Sequence, residues 1–140
     1  MTFVGGRWIG AVLPLLAACA PGPAPVTVTP ESIPSLEAER ARRPNDRQLI
    51  IRLGAAYYRE GRYREAVNVL RAGVVVAPSF AGAVFLGLSQ ERLGQLDSAE
   101  AAYRIAGRLN ISAAERSELE ARLTNLARER LAADAKEAVA

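Results

Sequence analysis

The sequence predicts an all-α fold: a short α-solenoid of two helical hairpins, with a short helix before them and a long capping helix after them. Small and apolar residues recur at helical spacing from residue 35 onward. The pattern repeats after 33 residues, which indicates stacked copies of one structural unit. Gly61 and Gly94 fall at equivalent places between the two apolar runs of each unit, where a turn is needed.

The repeat is visible when the chain is compared with itself. A shift of 33 residues aligns Leu53-Gly54 with Leu86-Gly87, Gly61 with Gly94, Ala66 with Ala99, Leu70 with Tyr103, and Gly73 with Ala106. Each unit has an apolar run, a glycine turn and a second apolar run, which is typical of a helical hairpin. We expect Gly54, Ala66, Gly87 and Ala99 to let the paired helices approach closely, with the larger residues filling the core.

This unit resembles the tetratricopeptide repeat (TPR), whose pattern has an aromatic, Leu-Gly and Tyr in the first helix, and Ala, a large apolar and a small residue in the second, closed by Pro. The first unit matches at Leu53, Gly54, Tyr57, Ala66, Leu70, Gly73 and Pro78, with Gly61 in the turn. Ile50 stands where the family has Trp and keeps that position apolar. The second matches at Leu86, Gly87, Gly94, Ala99, Tyr103 and Ala106, but has Ala83, Gln90 and Ile111 at the other positions. The resemblance covers about Pro44 to Ile111.

Flanking helices should cap the two units, because two repeats are fewer than the three that usually bury a continuous core. A short helix is predicted from Ser35 to Arg43, ahead of Pro44. Ser112 and Glu115 form a capping box at the start of a long final helix. Its apolar stripe is predicted at Leu119, Leu123, Leu126, Ala127 and Leu131, and the sequence beyond becomes alanine-rich and is expected to be exposed.

Residues 1–18 have the layout of a secretory signal peptide. Arg7 precedes the apolar run from Trp8 to Leu16, and two alanines follow. The run is too short to cross a bilayer, which takes about twenty apolar residues. The sequence therefore predicts a processed leader.

The end of the leader, Leu16-Ala17-Ala18-Cys19, resembles the lipobox of bacterial lipoproteins. The resemblance implies cleavage before Cys19, a diacylglycerol thioether on its sulfur, and usually a further acyl chain. Two or more chains anchor a protein stably on a membrane. Ala20 in place of aspartate favours the periplasmic face of an outer membrane, if the source has two membranes. The alternative is a buried cysteine in an ordinary helix.

The segment after Cys19 is predicted to be a tether. Residues 19–34 carry the lipid-bearing cysteine and five of the eight prolines, which favours an extended, polyproline-like chain. Residues 35–140 are then the helical domain. Because Cys19 is the only cysteine, no disulfide is expected.

The charged and titratable residues argue against nucleic-acid binding and against catalysis. Without the leader the chain has 17 basic and 15 acidic groups, and arginines alternate with glutamates along the predicted helices. The chain has no histidine, no thiol other than Cys19, and three aspartates, and it contains no phosphate loop or metal-ligand spacing. We expect no enzyme activity, no cofactor and no metal.

The TPR resemblance implies a concave face, lined by the first helix of each unit, that grips a segment of a partner protein. By position this face would present Gln48, Ile51, Ala55, Tyr58 and Arg59, then Ala81, Val84, Leu88, Glu91 and Arg92. Tyr58, Arg59 and Arg92 are the predicted anchors, because aromatic and arginine side chains dominate interface energetics. The alternative is that both arginines are solvated helix ends favoured by the helix dipole.

These features predict a membrane-anchored scaffold or adaptor for protein–protein interaction in the bacterial cell envelope. The partner is a protein or peptide, and the membrane is reached through the lipid on Cys19. The alternative function is a structural subunit whose long C-terminal helix pairs with a second copy or with another subunit.

Overall fold

The computed structural model describes residues 31–139, and the predicted leader, Cys19 and most of the tether lie outside the described residues. Within this range the all-α prediction is confirmed, because the described residues form helices and no strand. The helices are α1 (Ile33–Arg42), α2 (Arg47–Arg59), α3 (Tyr63–Val76), α4 (Phe80–Arg92), α5 (Leu96–Gly107) and α6 (Ala113–Val139).

Side chains cap the start of most helices, and two glycines make turns. Asp46 accepts a hydrogen bond from the Leu49 amide at 3.1 Å at the start of α2, and Ser79 caps α4 in the same way. Gly61 and Gly94 have φ angles of 75° and 71°, in the left-handed region that glycine tolerates best. The α2–α3 and α4–α5 turns therefore share one geometry, as the repeat predicts.

The predicted capping box at the start of α6 is present. The Glu115 amide donates to Ser112 Oγ at 3.2 Å, and the Ser112 amide donates to Glu115 Oε2 at 2.8 Å. The hydrogen bonds to Ser112 lower the pKa of Glu115. The two residues thus satisfy amides that the first turn of a helix leaves without partners.

Each helix packs against the next one in the chain, and α2 also packs against α4. Connectors of three to five residues join them, so consecutive helices run antiparallel. The helix α4 is buried on most of its circumference because it contacts α2, α3 and α5. The first helices of the two hairpins therefore lie side by side at the centre of the domain.

Close helix contacts at glycine hold each hairpin together. A Cβ atom added at Gly54 would lie 2.4 Å from Cγ of Leu70, and one added at Gly87 would lie 2.5 Å from Cε1 of Tyr103. The two contacts join residues that are related by the 33-residue shift. The prediction that Gly54 and Gly87 allow close approach is therefore confirmed, and Ala66 and Ala99 are fully buried beside them.

The flanking helices differ from the prediction in two details. The first helix spans Ile33–Arg42 rather than Ser35 to Arg43, because Ser32 caps it and Pro34 fits its first turn. In α6 the packed stripe ends at Leu126, and the prediction for Ala127 and Leu131 was wrong: Ala127 is exposed and Leu131 is 69% exposed. The reason is length, since α5 has 12 residues and α6 has 27.

Candidate functional site

The residues predicted for the concave face lie on α2 and α4, which pack side by side. They differ in exposure. Gln48, Ala81, Arg59 and Arg92 are exposed, whereas Ile51, Ala55, Tyr58, Leu88 and Glu91 are half-buried. Val84 is 7% exposed and belongs to the core, so in this structure it is a packing residue rather than a contact for a partner.

An aromatic cluster forms where α2, α3 and α4 meet. The ring of Tyr58 lies 5.6 Å from that of Tyr63 and 5.9 Å from that of Phe85, measured between centroids, and the second pair is edge-to-face. All three rings are half-buried. Such contacts fix ring orientations while leaving apolar surface accessible, which favours a rigid anchor for a partner.

Arg92 adjoins this cluster at the end of α4. Its interaction with the Tyr58 side chain raises the pKa of Arg92. Within residues 31–139 no carboxylate forms an ion pair with Arg92 or with Arg59. The guanidinium of Arg92 is exposed and keeps donors for a further acceptor. We define the α2–α4 face as Tyr58, Tyr63, Phe85, Leu88 and Arg92.

Glu91 turns away from the aromatic cluster into a polar network with α5 and α6. The hydroxyl of Tyr103 donates to Glu91 Oε1 at 3.0 Å. Burial raises the pKa of Glu91, the hydrogen bond from Tyr103 opposes this rise, and the charge of Glu129 adds to it. Arg122 contributes positive charge to the same network and pairs with Glu118 at 2.7 Å. Glu91 is therefore bonded to Tyr103 within the second hairpin, and α6 contributes charge nearby.

Tyr63 and Phe85 were missed by the sequence analysis. Both lie outside the repeat alignment: Tyr63 begins α3, and Phe85 follows the buried Val84 in α4. The available signal was the aromatic character of Phe85 beside positions already assigned to the face. Its orientation toward Tyr58 depends on the packing angle of α2 and α4, which the pattern does not give.

A second concave feature lies between α5 and α6. This α5–α6 groove has a volume of about 510 Å³. Leu123, Leu126, Ala127 and Leu131 form its apolar wall, and Glu100, Arg104, Arg130 and Asp134 complete the lining. Arg130 pairs with Asp97 at 2.9 Å and with Glu100, so part of the polar rim is already neutralised.

Residues 31–139 contain neither a metal-binding cluster nor a helix that could span a membrane. No group of three or more His, Cys, Asp or Glu side chains in this range is arranged to hold a metal ion. No helix in the same range is both long and apolar enough to cross a membrane.

Comparison with known proteins adds no identification. No protein-family model matches the chain, and no curated protein matches it significantly.

Proposed function

We propose that this chain is a lipid-anchored scaffold of the bacterial cell envelope that holds a segment of a partner protein on its α2–α4 face. The observation that carries the proposal is the aromatic cluster bordered by Arg92. It combines rigid, accessible rings with a guanidinium that has no ion-pair partner among the described residues. Aromatic and arginine side chains of this kind contribute most of the binding energy at protein interfaces.

The proposed partner segment contains apolar side chains and at least one carboxylate. Apolar side chains would contact Tyr58, Phe85 and Leu88, all of which are partly accessible. A carboxylate would accept parallel hydrogen bonds from Arg92, with Arg59 one helix away on the same side. The TPR resemblance supports this mode of binding, because that family holds peptide segments along the first helix of each repeat.

The partner-binding proposal is tested by affinity capture with the full chain in its own cells. We expect Arg59→Ala/Arg92→Ala to recover at least about tenfold less partner, as expected for loss of an interface anchor. The matched control is Arg64→Ala/Arg71→Ala, which removes two exposed arginines from α3. Equal capture by the two double variants would contradict the proposed face.

Lipid anchoring at Cys19 is tested by intact-mass measurement of the protein purified from membranes. The proposal predicts a chain that begins at Cys19 and carries the added mass of acyl chains. Cys19→Ser should keep residues 1–18 and leave the detergent phase. A wild-type chain that retains its leader with an unmodified thiol would contradict the anchor.

The C-terminal helix supports a second candidate function, self-association. All of residues 131–139 are exposed, and Leu131 lies at the edge of the α5–α6 groove. A second copy of α6 could cover this apolar wall. Sedimentation equilibrium over a wide concentration range tests the idea, with Leu123→Glu/Leu131→Glu expected to dissociate a dimer. A wild-type chain that stays monomeric throughout would exclude it.

A further inference from the structure

The alternation of the helices divides the connectors between two edges of the domain. Because consecutive helices are antiparallel, the α1–α2, α3–α4 and α5–α6 connectors lie at one edge. The α2–α3 and α4–α5 connectors lie at the opposite edge. Each edge consists of its connectors together with the helical turn on either side of each one.

Charge is distributed unequally between the two edges. The first edge has seven basic residues and three acidic ones, namely Arg40, Arg42, Arg43, Arg47, Arg104, Arg108 and Arg116 against Glu39, Asp46 and Glu115. The opposite edge is balanced, with Arg59, Arg62, Arg64 and Arg92 against Glu60, Glu65, Glu91 and Asp97. Arginine is therefore in excess at one edge only.

The three acidic residues of the first edge are already occupied. Glu39 and Asp46 both pair with Arg43, each at 3.0 Å, and Glu115 accepts hydrogen bonds from Ser112. Among the described residues no ion pair involves Arg42, Arg47, Arg108 or Arg116, and these four side chains are exposed. Their charge faces the surroundings without internal compensation.

Two large apolar side chains project from the same edge. Val75 and Val76, at the end of α3, are 79% and 69% exposed. They are the last two residues of α3 and adjoin the α3–α4 connector. We name Arg42, Arg47, Arg108, Arg116, Val75 and Val76 the basic edge.

We propose that the basic edge lies against an anionic phospholipid surface. The arginines are spread over the connectors at both ends of this edge, which suits a planar array of negative headgroups rather than one ionic ligand. The two valines would enter the interfacial region, where apolar side chains are favoured beside cationic ones. Exposed valines would contribute nothing to binding a nucleic-acid backbone, which is recognised through its phosphates. The inference extends the proposed function, since it orients the scaffold on the membrane to which the lipid would attach it.

The test measures vesicle binding in the Cys19→Ser background, so that no acyl chain contributes. The full-length chain is sedimented with vesicles of phosphatidylglycerol and phosphatidylethanolamine, and with vesicles of phosphatidylcholine alone. Arg42→Gln/Arg47→Gln should reduce partitioning to the anionic vesicles about thirtyfold, from roughly 1 kcal/mol per basic residue. Val75→Ser/Val76→Ser should reduce it by a smaller factor. The control Arg64→Gln/Arg71→Gln removes the same charge from α3, outside the basic edge, and should bind like the parent.

Three outcomes would overturn the inference: equal binding to both vesicle types, equal losses in the two arginine variants, or stronger retention on duplex DNA than on anionic vesicles. Residues 1–18 are present in every variant, so any contribution from them cancels. Because the assay uses neither the acyl chains nor a protein partner, its failure would leave the proposed function standing. Conversely, loss of the anchor or of partner capture would leave this result unchanged.

Discussion

At the scale of single residues, a small side chain facing a large one defines each hairpin. Gly54 faces Leu70 in the first, and Gly87 faces Tyr103 in the second. A second pair of residues also lies between the helices of each hairpin. In the first hairpin Gly73 contacts Ile50, and in the second hairpin the equivalent positions hold the fully buried Ala83 and Ala106. The sizes of the two residues change together between the units, from isoleucine with glycine to two alanines, as dense packing requires.

Gly54→Ala should lower the free energy of unfolding by about 1–3 kcal/mol, because the new methyl group would overlap the Leu70 side chain. Chemical denaturation measures the change. Gly107→Ala is the matched control within a helix. Its methyl group would meet only Cδ2 of Leu119 at 3.1 Å, which can move, so its effect should stay within about 1 kcal/mol. A stabilising Gly54→Ala would contradict the close contact.

Gln90→Met should raise the free energy of unfolding by about 1 kcal/mol. Gln90 is 4% exposed and its Oε1 has no hydrogen-bond donor among the described residues. Replacing a buried polar group that lacks a partner with an apolar one of similar shape removes a desolvation cost. The control Gln48→Met changes an exposed position and should have no measurable effect. Destabilisation by Gln90→Met would show that the amide is satisfied.

The raised pKa of Tyr57 should make the free energy of unfolding fall at high pH. Burial and the hydrogen bond to Glu37 raise the pKa of Tyr57 to about 12, from an ordinary value of 10.0. As pH rises, Tyr57 loses its proton at a lower pH in the unfolded chain than in the folded one. The contribution of protonated Tyr57 to the free energy of unfolding is therefore complete below pH 10 and is lost as pH rises toward 12. Denaturation at successive pH values should show a shallower decline in Tyr57→Phe. Identical slopes in the two proteins would contradict the assignment.

At the scale of elements, α6 differs from the other helices because it is longer than α5, the helix against which it packs. Its contacts with the domain are made by Leu119, Leu123 and Leu126. Beyond Leu126 the ion pairs of Arg130 with Asp97 and Glu100 hold its next turn on α5. The final turns carry no buried side chain in the described part of the helix. Helical periodicity predicted the helix itself, but the length of the neighbouring α5 determines where packing stops.

Deleting residues 132–140 should change the free energy of unfolding by no more than about 0.5 kcal/mol, as is usual for exposed positions. Leu126→Ala is the contrasting variant, and it should cost about 2–5 kcal/mol because this leucine is 2% exposed. Hydrogen exchange should likewise be fast after residue 131 and slow around residue 126. A large loss of stability on truncation would show that the tail packs in solution.

At the scale of the whole molecule, the sequence pattern predicted the order of helices, both glycine turns, the close contacts and the capping box. These features depend on the local spacing and the size of residues, and both can be read from the amino-acid sequence. The candidate site was predicted only in part. Tyr58 and Arg92 were identified, but Tyr63 and Phe85 were not, and Val84 and Glu91 turn inward because the angle between helices decides which side chains meet.

The central proposal, that the α2–α4 face holds a partner protein, is tested most directly by site-specific photo-cross-linking in the cells that express this chain. A photoreactive residue replaces Leu88 on the face, or Asn68 on the exposed side of α3 as a control. We expect one discrete adduct from position 88, absent at position 68 and lost when Arg92→Ala is added. Equal labelling from both positions, or an adduct at position 88 that survives Arg92→Ala, would contradict it.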